Sequence, residues 1–406
     1  MSRLLFVSNL FPDTAEPYRG LDNAVLLRYL RTHYSGGIGA LGLRPTLDAR
    51  KWGISTAWQA RADDLAAELD PVYLGVPYVP KLGSQFNHRL MARYLGPALA
   101  ELRERRAFDA ILCSWLFPDG AALAGLAGKG GARPFVLICQ GSDAHQYLKV
   151  PARKELILKA VEASGGVVTR SRDLARLLGE AGAAPEKLHP IYNGVDQRLF
   201  YPLDAGARTA LRGAMGLGTS DPVTLFVGNF LPVKNPRLLL EAFAEASRRF
   251  SAESRAGVPR LLMVGGGPME AEVRGWIAEL RLGDRARLEG RQDAAGVARR
   301  MQAADVLCMS SENEGVPNVV LEAQATGVPV VATDVGGIGE IIAGAEQGSL
   351  SPRGQVAGLA QGLLQNWRMQ MDETTAEARR YRIAERGREY AWEKTALQYY
   401  ELLQKL

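Results

Sequence analysis

Cysteine is scarce in this chain: 406 residues hold three, Cys113, Cys139 and Cys308. Each sits inside an apolar run, as in Ile111-Leu112-Cys113 and Val306-Leu307-Cys308. An odd number, far apart and in core-like surroundings, argues against a disulfide framework or a metal cluster and for small buried hydrophobes. Long apolar runs are also missing. No stretch reaches the roughly 20 apolar residues that span a bilayer. The first run, Leu4-Leu5-Phe6-Val7-Ser8, stops at Asn9. It is too short for a signal-peptide core and reads as a buried strand, so the protein is expected in the cytoplasm. No solenoid repeat and no low-complexity tract is visible.

What is present describes a soluble two-domain protein. Apolar residues make up 47% and charged residues 23% of a chain too long for one compact core. The net charge of +5 is unevenly spread. Residues 1–200 carry 25 Lys/Arg against 19 Asp/Glu, and residues 201–406 carry 24 against 25. A basic first half suits an anionic partner, although a solvated face explains so modest an excess equally well.

Short apolar runs alternate with helix-length segments throughout. In the first half they predict strands at Leu4–Ser8, Ile38–Leu43, Ala110–Ser114, Phe135–Cys139 and Gly166–Thr169. In the second half they predict Thr224–Val227, Arg260–Val264, Ala286–Leu288, Val306–Met309 and Val328–Ala332. Strands apolar on both sides and separated by helices imply an α/β protein with two parallel sheets in series. The boundary is expected in the Gly-, Pro- and Asp-rich stretch from Asn193 to Pro222. Ala391–Leu406 reads as an amphipathic helix with Trp392, Leu397, Tyr400 and Leu403 as its apolar positions.

The densest chemical signal runs Ser310-Ser-Glu-Asn-Glu-Gly-Val-Pro-Asn-Val-Val-Leu-Glu322. It follows a strand, so it lies at the carboxyl end of a parallel sheet, where open α/β folds bind ligands. Pro317 suits the first turn of a helix, and the amides of Asn318 and Val319 then open a positive helix terminus suited to a diphosphate. Glu314 precedes that helix and Glu322 lies about one turn inside it. Both carboxylates can accept hydrogen bonds from sugar or ribose hydroxyls, although acids near a helix start also favour its dipole. The second signal is Val227-Gly228-Asn229-Phe230-Leu231-Pro232-Val233-Lys234-Asn235-Pro236. Asn235 suits an N-cap and Pro236 the first helical position. Lys234 then stands beside another positive helix terminus, a place where an unpaired lysine marks a phosphate site and a solvated one is the plainer alternative.

With these residues in view, the glutamate-x7-glutamate segment from Glu314 to Glu322 resembles family-four retaining glycosyltransferases. Gly327-Val-Pro-Val-Val-Ala332, Gly336-Gly-Ile-Gly-Glu340, Val264-Gly-Gly-Gly-Pro268, Tyr192-Asn-Gly-Val-Asp196 and Gln140-Gly-Ser-Asp143 are similar to that family in the same order. Phe11-Pro12 and Pro17-Tyr-Arg-Gly20 are similar to the branch that makes cell-surface polysaccharide, including teichuronic-acid-type enzymes. The resemblance implies a GT-B fold, two Rossmann-like domains with parallel sheets facing across a cleft. It implies an acceptor-binding domain at 1–200, a nucleotide-sugar domain at 201–385, and a terminal helix at 386–406 returning to the first. It implies a hexosyltransferase, retaining and metal-independent, with no cofactor and a UDP- or GDP-linked donor. The acceptor would be a glycan, a lipid-linked sugar or a small molecule.

Roles are implied residue by residue. Lys234 would hold the departing diphosphate, Glu322 the ribose, and Glu314 the transferred sugar. Gly228, Asn229, Gly315, Val316, Pro317 and Asn318 would line the donor. Gly20 would let the N-terminal loop approach the phosphates, and Arg291 would lie near the base. Two positions depart from the family pattern: Asn229 replaces a common arginine, leaving one cation, and Gln140 replaces a histidine. Glutamine can bond a sugar hydroxyl but cannot carry a proton, so Gln140 would position substrate at the catalytic centre.

Rival readings fit less well. A dehydrogenase fingerprint at Gly265–Gly267 would need a small residue where Glu270 stands. A Walker loop at Gly128-Lys129 would need Ser or Thr in place of Gly130. GT-B-type epimerases match these motifs poorly. A non-catalytic nucleotide-sugar-binding subunit, suggested by Asn229 and Gln140, is the alternative from another class, and nucleic-acid binding has no motif behind it. The segment Asn87–Arg106, with Arg89, Arg93, Arg103, Arg105 and Arg106, suits peripheral contact with the inner face of an anionic membrane, or simply a solvated face.

Overall fold

The computed structural model describes residues 3–60, 68–80, 83, 85–127, 134–253 and 257–406. Gly128-Lys129-Gly130 lies outside the described residues. The chain divides into two compact units: Met1–Gly194 joined by Trp392–Leu406, and Val195–Ala391.

The first unit is built on an eight-stranded sheet. Its strands are β1 (Leu4–Ser8), β2 (Ile38–Thr46), β3 (Gly53–Ile54), β4 (Val72–Pro77), β5 (Ala110–Ser114), β6 (Phe135–Cys139), β7 (Gly166–Thr169) and β8 (Leu188–Pro190). They lie in the order β3-β4-β2-β1-β5-β6-β7-β8, parallel except for β3 against β4. Alternation along β1 shows why the sheet needs helices on both sides. Leu5 and Val7 join a core with helices Asn87–Arg105 and Pro151–Ala163. Leu4 and Phe6 join another with helices Leu21–Arg31 and Trp392–Leu403. All four side chains are buried, the pattern of a parallel strand covered on both faces.

The terminal helix buries Trp392, Thr395, Ala396, Tyr399, Leu402 and Leu403. Leu397, expected on its apolar face, is 44% exposed. The stripe follows the 3.6-residue period from Trp392 through Ala396 and Tyr399 to Leu403, which leaves Leu397 on the solvent side. Trp392 stacks on Tyr29 with centroids 6.1 Å apart.

The second unit carries β9 (Val223–Val227), β10 (Arg260–Val264), β11 (Ala286–Gly290), β12 (Val306–Met309), β13 (Val330–Thr333) and β14 (Gly348–Ser351). All neighbours are parallel, in the order β11-β10-β9-β12-β13-β14. Trp367 is the bulkiest fully buried side chain here, edge-on to Phe243 and Phe250, with Nε1 donating to Thr224 Oγ1 at 3.1 Å.

The division falls after Gly194, not after 200, and the chain returns at Trp392, not at 386. Local packing explains both points. Within the second unit Val195 pairs in parallel with Ala391, its amide donating to Tyr390 O at 2.7 Å. Within the first, a Cβ on Gly194 would lie 2.3 Å from the Trp392 ring. The two passages of the chain are thus fixed side by side at these residues. No helix among the described residues is long and apolar enough to cross a membrane.

Candidate functional site: the carboxyl ends of two parallel sheets

In the second unit strand order reverses between β9 and β12. At such a switch point the loops after the two strands part and leave room for a ligand. The loop after β9 turns through Pro232–Lys234 into the helix Pro236–Ala252. Asn235 caps that helix, its side chain accepting from the Leu238 amide at 3.2 Å. The same side chain donates to Glu312 Oε1 at 2.6 Å, and Ser310 Oγ lies 2.8 Å from the Lys234 carbonyl. These bonds tie the loop after β9 to the loop after β12.

Lys234 and Glu314 meet as a result: the ammonium donates to Glu314 Oε1. The lysine expected to be unpaired is therefore an ion-pair member, because the loop that presents it is fastened to the one carrying the acid. Ser311 Oγ donates to the same Oε1 at 2.6 Å. The pair is only partly exposed, 22% for the lysine side chain and 11% for the glutamate. Ser311 lay inside the motif, but its partner became visible only in three dimensions.

Glu314 also rests on the turn after β13. Gly336 has φ +56°, and a Cβ there would lie 1.9 Å from Glu314 O; the Gly337 amide donates to Gly315 O at 2.9 Å. A side chain at 336 would strain the backbone and push the acidic loop away. The following helix runs Asn318–Thr326, with Pro317 as its N-cap, one residue before the position expected for it. Glu322 lies within that helix, and burial pushes its carboxyl up to about 7.

Gly228 and Asn229 follow β9 directly. The Gly228 amide donates to Val264 O at 2.9 Å, and Phe230 N to Gly266 O at 3.0 Å. The Gly265–Gly267 turn thus packs backbone to backbone on the loop after β9, which accounts for its glycines without a dinucleotide. Arg291, exposed after β11, lies beside Gly266, whose added Cβ would be 3.6 Å from Arg291 Nε. The second unit thus gathers Gly228, Asn229, Lys234, Arg291, Glu314, Gly315, Val316, Pro317, Asn318 and Glu322 on loops and helix starts at one end of its sheet. Gly20 and Gln140 belong to the first unit.

There the reversal lies between β1 and β5. Asn9 donates its amide and its Nδ2 to Asp119, at 2.6 and 2.9 Å. Burial pushes the Asp119 carboxyl up to about 7 against those bonds. Gly20 precedes the helix Leu21–Arg31 in left-handed conformation. Gln140 Nε2 donates to Asn23 Oδ1 at 3.1 Å and to Ser114 Oγ. Asn23 also receives Arg170 Nη2 at 2.8 Å, while Arg170 Nη1 donates to Asp22 and Asn193. Asp143 accepts from the amides of Gln140, Gly141 and Leu116, so this buried carboxylate shapes the loop that presents Gln140. Asn23, Ser114, Asp119 and Arg170 went unnoticed in the sequence because no short motif joins them. The topology does.

Two parallel-sheet α/β units with polar loops at their switch points have the architecture of the GT-B class. Solved structures agree on this fold. Sucrose-phosphate synthase from Thermosynechococcus elongatus superposes with a TM-score of 0.76 at 19% identity, covering 100% of this chain and 99% of that one. Anabaena HepE in complex with UDP gives 0.73 at 19%, covering 100% of both. Residues 41–199 match the family model described as Glycosyltransferase Family 4, and residues 207–389 match Glycosyl transferases group 1. The chain belongs to these glycosyltransferases. N-acetyl-alpha-D-glucosaminyl L-malate synthase of Bacillus anthracis is 29% identical over 273 residues, 67% of this chain and 68% of that protein. D-inositol 3-phosphate glycosyltransferase of Jonesia denitrificans is 33% identical over 247 residues, 59% of this chain and 56% of that protein. The match spans little more than half of the latter's length.

Proposed function

We propose that this chain is a retaining hexosyltransferase that moves a sugar from a UDP- or GDP-linked donor to a small anionic acceptor. The observation that carries this is the Lys234–Glu314–Ser311 cluster, held between the loops after β9 and β12. The second unit binds the donor and the first binds the acceptor. An incoming diphosphate competes with Glu314 for the lysine. Lys234 then stabilises negative charge as the anomeric carbon gains oxocarbenium character, and Glu314 is released toward the sugar hydroxyls. The helix starts at Asn318 and Pro236 add their positive ends. The leaving phosphate oxygen takes the acceptor's proton on the face it departs from, so Gln140 needs no proton of its own and orients a hydroxyl.

The acceptor class rests on two facts. The malate synthase and the inositol 3-phosphate glycosyltransferase are named for small anionic partners, and buried Arg170 lies beside Gln140 through Asn23. A lipid-linked acceptor, as in cell-surface polysaccharide synthesis, is the second reading. The exposed Arg89, Arg93 and Arg103 on helix Asn87–Arg105 favour it. We place the protein in the cytoplasm, with transfer independent of metal.

A thermal-shift screen with UDP, GDP, ADP and NAD on wild type and Lys234→Ala tests the donor assignment. A ligand at 100 times its Kd adds about 2.7 kcal/mol to the state it binds. A shift with one diphosphate, lost in the variant, supports the reading. A response to NAD alone, or to no diphosphate, refutes it. Donor binding without transfer or hydrolysis would favour a binding subunit. The anomeric configuration of the product, read by proton NMR, decides retention.

A further inference from the structure

At the opposite, amino-terminal end of the second sheet lies a cavity of about 650 Å³, lined by Arg208, Arg212, Asp305 and Arg380 with hydroxyl residues such as Thr209 and Thr374. Asp305 immediately precedes β12 and Pro222 precedes β9. Five residues of β9 at about 3.3 Å each separate this end from the Lys234 loop. The cavity is therefore distinct from the proposed donor site, and its reading does not depend on that proposal.

Three arginines and three acids, Asp221, Asp305 and Glu377, line this cavity, but they are not paired one to one. Asp305 is buried and accepts from Arg208 Nη2 at 2.6 Å, Arg212 Nη1 at 3.2 Å and the Val223 amide at 2.7 Å. Burial opposes its ionisation, but the two guanidinium groups prevail and hold it below the usual carboxylate range. One carboxylate thus serves two arginines, and Arg380 is a third. Arg380 is 8% exposed, yet its only side-chain hydrogen bond among the described residues is a long one, 3.5 Å to Gln370 Oε1. Glu377, one helical turn earlier on the cavity wall, forms no ion pair among the described residues. Asp221, the remaining acid, is engaged by Arg260 and the Val258 amide. A buried guanidinium with no carboxylate in hydrogen-bond contact is costly: burial and repulsion from Arg208 push its pKa down to about 10 against the attraction of Asp305 and Glu377.

We infer that this cavity is a second anion site, in which Arg380, backed by the Arg208–Asp305–Arg212 cluster, binds a phosphoryl group. The planar fork of a guanidinium matches two phosphoryl oxygens, and the neighbouring threonine hydroxyls can donate to the third. A free phosphate and a phosphorylated metabolite present the same group.

Inorganic phosphate titrated calorimetrically into the full chain tests the assignment, with chloride as control. Lys234→Ala, which lacks the cation of the proposed donor site, should still bind phosphate at this cavity. Arg380→Gln should lose about tenfold or more, the cost of a charge-assisted bond. Gln370→Glu leaves the arginine in place and supplies the missing carboxylate, so it should lose phosphate binding equally while its melting temperature holds or rises. The inference is overturned if chloride gives the same response, if binding disappears in Lys234→Ala but survives in Arg380→Gln, or if Gln370→Glu binds like wild type. The last arm decides the question even if Arg380→Gln does not fold. Glucose 6-phosphate against inorganic phosphate separates the two sources, a tighter Kd identifying the metabolite.

Discussion

Replacing Lys234 with methionine should separate turnover from stability. The substitution keeps most of the stem and removes the ammonium. Glu314 retains the Ser311 hydroxyl at 2.6 Å, so its carboxylate is not orphaned. Breaking a fully buried pair costs 3–5 kcal/mol, and an exposed one at most about 1. A pair with side chains 22% and 11% exposed lies between these limits, at about 1–2 kcal/mol. For a unit the size of Val195–Ala391, one kcal/mol corresponds to about 2–4 °C, so melting should fall by a few degrees. Turnover should fall far more, by about 10²–10³, the usual cost of losing one donor aimed at transition-state charge. Calorimetric melting and a coupled assay of nucleoside diphosphate release would read the two effects on one preparation. A kcat within about threefold of wild type would refute the electrostatic role given to this lysine.

Glu322 should leave a signature in pH. Its folded-state pKa of about 7 exceeds the ordinary 4.5, so between these values the native chain holds a proton that the unfolded chain has lost. Its contribution therefore favours folding at low pH and declines as pH rises through this window. Urea midpoints at pH 5 and 8 should differ less in Glu322→Gln than in wild type; equal differences would sink the assignment. Gly20→Ala should destabilise the first unit, because φ is +62° and the new Cβ would lie 2.2 Å from Leu10 O. The left-handed conformation alone costs about 1–2 kcal/mol, and wild-type protease resistance would contradict the expectation. All three cysteines are buried with raised thiol pKa values. Ellman's reagent should label none of them natively and three in urea, and fast native labelling of any one would show that its packing is wrong.

Central strands were legible because both their faces are apolar. Ala110–Ser114, Phe135–Cys139, Gly166–Thr169, Arg260–Val264 and Val306–Met309 are found with the bounds expected of them. β3, β8 and β14 escaped notice because they are edge strands. Gly53-Ile54, Leu-His-Pro and Gly-Ser-Leu-Ser have no two-sided apolar run. β4 was hidden for another reason, since Pro71 and Pro77 bracket it and imitate loop punctuation. At the site, the motif pointed to Lys234 and Glu314 separately. Their pairing depends on Ser310 and Asn235 fastening two loops some 75 residues apart, and one-dimensional spacing does not contain that.

Because Trp392–Leu406 belongs to the first unit, the second is an insertion within it. This fixes an order of events during synthesis. Residues 195–391 can emerge and complete their own sheet while the first unit still lacks the helix that covers Leu4 and Phe6. At 5–20 residues per second the ribosome needs about 10–40 s to supply the missing piece. Throughout that interval the apolar face around Tyr29 and Leu30, which the terminal helix covers in the finished unit, stays open to water. The portion made first is the last to finish folding.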